Sequence, residues 1–433
     1  MIIPSIDLMG GSTVQLVGGR EKKLDAGPPG PIAKKFALAG EVAVIDLDAA
    51  IGTGDNRALI TPLLRDHRCR VGGGIRSVEA ALAWLDAGAA KVILGTAATP
   101  ALLGELAQKG VPKDRVIAAV DCFNGEVVVK GWREGSGRRV EQVLAELAPF
   151  VGGFLVTFVE REGRMVGLPA AQAAALLPFC GGARLTAAGG IRTAAEIGEL
   201  DRLGIDAQVG MAIYTGAISL AEAIAAPLTS DRPDGLVPTV VCDEAGRALG
   251  LAYSSRESLA VAVERGVGAY HSRRRGLWVK GETSGAVQEL LAVDLDCDRD
   301  ALRFTVRQHG AGFCHTGEAT CWGPARGLAG LEGVLASRKA SSPGGSYTRR
   351  LFEEEGLLAA KIEEEGGELS REVGAAVRDP RRVVEEAADV IYFAAAALVR
   401  EGLTLAEVER ELDRRGLKIT RRKGDAKPKK EGV

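Results

Sequence analysis

The 433-residue sequence predicts three domains in series: a (β/α)8 barrel, a small β-rich α+β domain built for metal, and an all-α domain. Three observations predict this. Eight short apolar runs alternate with amphipathic stretches over residues 1–228. Cysteines and aspartates crowd together between Asp296 and Cys321. From residue 346 onward the apolar residues recur at helical spacing. Two polar, turn-rich stretches, PLTSDRPDGLV at 227–237 and SRKASSPGGSY at 337–346, read as linkers. They give domains at 1–228, 236–337 and 346–425.

The barrel strands are MIIPSID, VAVIDLD, RVGGGI, KVILGTA, VIAAVD, GFLVTF, ARLTAAGG and AQVGMA. Helical patterns such as SVEAALAWLDAG lie between most of them, as a closed parallel barrel requires. The two halves repeat. VGGGIRS from Val71 returns as AAGGIRT from Ala187, LGTA from Leu94 as VGMA from Val209, and Asp7-Leu-Met-Gly-Gly as Asp121-Cys-Phe-Asn-Gly. The repeat puts Asp7 on strand one and Asp121 on strand five, across the mouth from each other. It also gives two glycine-rich phosphate cradles: Gly73, Gly74, Gly95 and Thr96 in one half, Gly189, Gly190 and Gly210 in the other. Two cradles facing two carboxylates suit a substrate with a phosphate at each end and proton transfers between them.

The middle domain reads as two strands around a turn at Glu244–Gly246, then strands in LWVKGETSG, VQELLAVDLDC and LRFTVRQHG. Cys297, Cys314 and Cys321 supply three thiolates, which select zinc and leave it an open position for water. The competing reading is a structural zinc knuckle with His309 or His315 as fourth ligand. Asp296, Asp298 and Asp300 offer hard oxygens to magnesium. In the third domain, Glu365 and Glu368 share one face of a helix, and Glu386 and Asp389 share a face of the next. Four carboxylates between two packed helices make a magnesium site. Gly366 and Gly367 weaken the first of these helices locally.

Composition bounds the rest. The chain is 46% apolar and 26% charged with net charge −2, so nothing calls for a nucleic-acid or membrane partner. No apolar run reaches the ~20 residues that span a bilayer, and MIIPSIDLMGG lacks the features of a signal peptide. Seven cysteines fit metal-binding thiols in a reducing cytoplasm better than a disulfide framework. The helical domain needs a second copy to cover its apolar faces, so a homodimer or higher homo-oligomer is expected. The basic tail TRRKGDAKPKKEGV reads as a solvated terminus.

PSIDL, VIDLDAA, GGGIR, GTAA and the Gly131–Trp132 pair resemble the phosphoribosylformimino-aminoimidazole-carboxamide-ribotide isomerases of histidine biosynthesis. That resemblance implies that Asp7 and Asp121 are the acid–base pair of an Amadori-type aldose–ketose rearrangement, with Thr157 as assisting hydroxyl. The chain departs from the pattern at Phe158, at Glu162-Gly-Arg164, at Met211 and at Gln15. An active isomerase and a non-catalytic scaffold both remain open on this evidence.

SRRRGLWVKGETSG, DCDRD and CHTGEATCW are similar to the motifs of phosphoribosyl-AMP cyclohydrolase. The resemblance implies zinc on Cys297, Cys314 and Cys321, magnesium on Asp296, Asp298 and Asp300, and hydrolytic opening of an adenine ring. It also allows Cys297 to come from a second copy of the chain. His315 is a candidate proton shuttle or a structural neighbour of the metal, and Arg273, Arg275 and Lys280 are candidate phosphate contacts.

SYTRRLF, KIEEEGGE and EEAADVIY resemble phosphoribosyl-ATP pyrophosphohydrolase, a relative of the MazG-type nucleotide pyrophosphatases. A general NTP pyrophosphatase is the alternative for this domain. The layout is similar to the N-terminal part of the fungal multifunctional histidine-biosynthesis proteins. Together the resemblances imply small phosphorylated nucleotides as substrates.

Overall fold

The computed structural model describes residues 1–129, 131–341 and 345–420. It divides into two compact units. The first holds Met1–Cys242, Leu251–His309 and residues 414–420; the second holds Asp243–Gly250 and Gly310–Asp413.

In the first unit eight parallel strands close into a barrel. They are β1 (Ile2–Met9), β2 (Val42–Asp46), β3 (Cys69–Gly72), β4 (Lys91–Leu94), β5 (Val116–Phe123), β6 (Gly153–Phe158), β7 (Arg184–Ala188) and β8 (Asp206–Val209). Each pairs with the next, and β8 returns to β1 through Ile2–Ala207 and Pro4–Val209. All eight expected strands are present. Ile93, Ile117, Leu155 and Ala188 form a layer of the buried interior. Helix starts are marked by side-chain caps. Ser77 accepts from the backbone of Ala80, and Thr193 and Glu196 form a capping box at the matching place in the second half.

The internal repeat extends to a feature the strand pattern did not show. A hairpin of Ser12–Val17 and Glu21–Gly27 follows β1, and one of Glu126–Val129 and Glu134–Arg139 follows β5. Each hairpin pairs back onto its barrel strand, Asp7 opposite Val14 and Cys122 opposite Val127. Their outer strands are too polar to register as apolar runs.

The middle region contributes β9 (Val237–Cys242), β10 (Ala248–Ser254), β11 (Ala269–Ser272), β12 (Gly276–Val279), β13 (Gln288–Leu295) and β14 (Leu302–Gln308). They form a four-stranded sheet in the order β10-β9-β14-β13 and a separate β11-β12 hairpin. The expected strands and turn are found, and a helix, Arg256–Arg265, is added after β10.

Within the second unit, helices Leu357–Gly374, Pro380–Arg400 and Leu405–Gly416 match the expected ones. Gly366 and Gly367 do not interrupt the first. Two further helices, Gly327–Ser341 and Tyr347–Glu353, were not legible. Leu335 and Leu351 from these two join Leu358, Phe393, Ala395, Ala396 and Val399 in one buried cluster. The stretch expected as a linker at 337–346 is therefore helical as far as Ser341, and the helical fold begins ahead of the 346 boundary. Residues 342–344 and 421–425 lie outside the described residues, as does nearly all of the basic tail.

Candidate active sites

The barrel mouth is built at the carboxyl ends of the strands. Asp7 near the end of β1 and Asp121 near the end of β5 are both half-buried at that mouth. Burial pushes Asp7 up to about 7, against a weak hydrogen bond donated by Gln15 Nε2 at 3.4 Å. Burial also raises Asp121, while Trp132 Nε1, donating at 2.8 Å, and Thr157 hold it back. Thr157 lies directly opposite Asp121 in the β5–β6 register.

A third carboxylate joins them. Glu162, in the loop after β6, is raised to about 8 by burial and by the charges of Asp7 and Asp121. The sequence reading placed Glu162 only within a departure from the family pattern and did not assign it to the site. The signal available was its position directly after the short turn, Val159–Arg161, that follows a barrel strand.

Three loops lean together above these groups. Gly18 N–H donates to Glu162 O at 3.2 Å. A Cβ on Gly163 would sit 2.4 Å from Leu16 O, and one on Gly19 would sit 2.4 Å from the Trp132 ring. Trp132 itself has φ 65, a left-handed conformation that a bulky residue adopts only where its surroundings enforce it.

The cradles differ in why they contain glycine. Gly73 has φ +97 and a Cβ there would fall 2.1 Å from Asp46 O; Gly189 has φ +102 and would meet Phe158 O at 2.5 Å. The fold alone requires both. Gly95 has open space where its Cβ would be. Nothing in the protein demands a glycine at 95, which leaves room for a ligand group beside the exposed Thr96. Gly74 closes against Ala49, Gly190 against Arg161, and Gly210 against Gln15 and Ser5. Gln15 is thus buried between Asp7 and the second cradle. Of the other departures, Phe158 and Met211 are buried and Arg164 is exposed.

In the middle region Asp296, Asp298 and Asp300 converge, each offering an oxygen within 4.8 Å of the others. Repulsion from Asp298, then burial and Asp296, raises Asp300. The set is hard, anionic and crowded, which suits a divalent cation. Cys297 belongs to the first unit, and Cys314 and Cys321 belong to the second. Cys314 and Cys321 are partners. Thr316 Oγ1 donates to Cys314 Sγ at 3.1 Å, and this bond, with help from Cys321, lowers the Cys314 thiol. His315 Nδ1 lies 3.8 Å from the same sulfur. The Cys314–Cys321 pair, with one thiol already biased toward thiolate, is of the chemical kind zinc takes. Arg273 lies over the Tyr253 ring and Arg275 over the Trp278 ring, at 5.4 and 5.3 Å, while Lys280 is buried. His309 N–H donates to Val287 O.

The helical pair forms the third site. Glu365, Glu386 and Asp389 gather within 4.8 Å, and Glu368 is close enough to Glu386 to bond with it. Glu365 and Glu386 are buried although charged residues rarely are. Burial raises Glu386; Arg382 opposes this, and Glu368 and Asp389 add to it. Lys361 Nζ pairs with Glu365 at 2.7 Å and Arg382 Nη2 with Glu386 at 2.6 Å. Sequence reading missed both cations because an i,i+4 ion pair on a charged helix looks like any solvated face.

A family profile described as "Histidine biosynthesis protein" matches residues 1–219, more than half of the chain. This chain belongs to that family. Profiles described as "Phosphoribosyl-AMP cyclohydrolase" and "Phosphoribosyl-ATP pyrophosphohydrolase" match residues 250–323 and 328–416. The chain is 50% identical over 209 residues to a histidine biosynthesis trifunctional protein of Komagataella pastoris, covering 48% of this chain and 24% of that protein. It is 50% identical over 210 residues to a histidine biosynthesis bifunctional protein of Schizosaccharomyces pombe, covering 48% and 49%. It is 36% identical over 233 residues to a 1-(5-phosphoribosyl)-5-((5-phosphoribosylamino)methylideneamino) imidazole-4-carboxamide isomerase of Methanocaldococcus jannaschii, covering 52% and 98%. The chain thus spans about a quarter of the length of the one fungal relative and about half of the other. Among the described residues no helix is long and apolar enough to cross a membrane.

Proposed function

We propose that this member of the histidine-biosynthesis family catalyses three consecutive steps. The helical domain hydrolyses phosphoribosyl-ATP to phosphoribosyl-AMP and pyrophosphate. The middle domain opens the adenine ring of phosphoribosyl-AMP. The barrel isomerises the resulting aminoaldose to a ketose.

The observation that carries the barrel assignment is the trio Asp7, Asp121 and Glu162. Three half-buried carboxylates brought this close repel one another when ionised, a cost from which a scaffold gains nothing. Asp7 and Asp121, both raised by burial, suit an acid–base pair, one as base and the other as acid, with Trp132 and Thr157 orienting Asp121. Glu162, protonated at neutral pH, can donate a hydrogen bond to a substrate oxygen between them. The cradles around Gly73, Gly74, Gly95 and Thr96, and around Gly189, Gly190 and Gly210, are assigned to the two phosphates.

In the middle domain Cys297, Cys314 and Cys321 are the residues that would hold zinc, and Asp296, Asp298 and Asp300 those that would hold magnesium. Zinc when bound supplies an activated water. His315 is positioned beside Cys314 to move a proton, and Arg273, Arg275 and Lys280 are assigned to the substrate phosphates. In the helical domain Glu365, Glu368, Glu386 and Asp389 would hold magnesium against the triphosphate. The apolar faces of that domain support a homodimer or larger homo-oligomer. Free thiols at all seven cysteines support a reducing compartment, the cytoplasm.

The test supplies phosphoribosyl-ATP and follows all three products in wild type and Asp7→Asn. Ketose formation only with Asp7 intact is the expected result. Accumulation of unisomerised aminoaldose in wild type would leave the barrel a scaffold. Faster hydrolysis of ordinary NTPs than of phosphoribosyl-ATP would make the helical domain a general pyrophosphatase.

A further inference from the structure

The loop that carries Asp296, Asp298 and Asp300 contains Arg299 in a left-handed conformation, φ 69. Only glycine adopts that region freely, so an arginine there must be held by its surroundings. Its holders can be named. Arg299 Nε and Nη2 donate to the two carboxylate oxygens of Asp201 at 2.8 and 3.1 Å. Asp201 is almost wholly buried on the barrel helix Ala194–Arg202. Arg299 Nη1 donates to Asp296 O at 2.7 Å. Arg299 O accepts from Thr229 N–H at 2.8 Å and from Thr229 Oγ1 at 3.3 Å, in the segment that leaves the barrel. Inside the loop, Asp296 Oδ1 accepts from the N–H groups of Asp300 and Ala301, each at 3.1 Å.

The guanidinium is therefore committed to a barrel carboxylate, while its own loop presents three carboxylates to one another. A free arginine between aspartates would neutralise them and compete with a cation. This one is fixed by a bidentate pair, the geometry in which arginine is most strongly oriented. We propose that Arg299 and Asp201 form a clamp through which the barrel positions the Asp296–Asp298–Asp300 loop for its cation. Arg299 is a positioning residue, not a ligand. The inference rests on reading that triad as a divalent-cation site. It makes the barrel part of the middle domain's metal chemistry whether or not the barrel is itself an enzyme.

The test is Mn2+ binding to the full chain, followed by the electron paramagnetic resonance of free Mn2+. The site is assigned as the equivalent that Asp298→Asn removes. Asp201→Asn and Arg299→Gly should each weaken that site by about ten-fold, the range expected when a group orienting a ligand is lost. Glycine suits φ 69, so the Arg299→Gly loss reports the clamp and not backbone strain. Asp201 Oδ1 also accepts from the N-terminal amine of Met1 at 2.6 Å, a contact that only Asp201→Asn alters; the double variant should be no weaker than the worse single, because both remove the Arg299–Asp201 pair. Unchanged far-ultraviolet circular dichroism and unchanged thermal unfolding of the full chain confirm that the variants are folded. Wild-type affinity in both variants would overturn the clamp while leaving the cation site standing, and so would tighter binding in Arg299→Gly. Equal Mn2+ stoichiometry in wild type and Asp298→Asn would remove the cation site and the clamp with it.

Discussion

Replacing Asp7 by asparagine should make the barrel more stable above neutral pH and leave it unable to isomerise. The folded barrel raises Asp7 from 3.8 to about 7, chiefly by burial. A carboxyl raised in the folded state favours folding below its unfolded value and loses that contribution as pH climbs through the folded one. The window is therefore about pH 4 to 7. Its width, at ~1.4 kcal/mol per pH unit, bounds the effect at roughly 4 kcal/mol. Asp121 and Glu162 share the same pocket, and relaxation around one ionised group lowers the figure, so about 2–4 kcal/mol is expected at pH 8. Asparagine keeps the shape and an acceptor for Gln15 but carries no charge. The assay is amide hydrogen exchange of β1 and β5 peptides in the full chain, wild type against Asp7→Asn at each pH. Intrinsic exchange cancels in that comparison. The stability difference should climb between pH 4 and 7 and then level off. A difference that stays flat across that range would show that Asp7 is solvated and that the acid–base reading of the mouth is wrong.

Cys314→Ser should lower bound zinc, measured by elemental analysis, and abolish ring opening while pyrophosphate release continues. Glu365→Gln and Asp389→Asn should each reduce pyrophosphate release by about 100-fold or more in a magnesium-dependent assay, with helix content by circular dichroism unchanged. Gly95→Ala should leave thermal stability untouched yet weaken binding of a bisphosphorylated substrate analogue. Gly73→Ala should instead lower stability, by roughly 2–4 kcal/mol, because its Cβ has no place beside Asp46.

The parts of this molecule legible in the sequence were those written as repeats. Eight apolar runs bounded by glycine gave every barrel strand, because a parallel strand covered on both faces must be continuously apolar. The echo of Asp7 by Asp121 located the mouth. What failed had a different physical origin. The hairpins after β1 and β5 cover one face only and are rich in lysine, arginine and glycine, so their pattern is that of a loop. The helix Gly327–Ser341 has five glycines and serines among its fifteen residues and buries little beyond Leu335, which hid it inside an expected linker. Glu162 was passed over because an acid within a departure from the family pattern looks like lost function. Only its place beside two other carboxylates shows otherwise. Arg299 could not be read at all: its partner is almost a hundred residues away on another domain, and the sequence carries no sign of its left-handed backbone.

The lysine and arginine beside the helical carboxylates have one more consequence. Lys361 and Arg382 pair with Glu365 and Glu386 and offset part of their charge, although Glu386 stays raised. The helix pair therefore depends less on metal to relieve its buried charge than small domains that unfold when stripped. A cation taken up there would have to displace a resident ammonium or guanidinium group, which would lower its apparent affinity. The same two pairs would hold the carboxylates in place between turnovers.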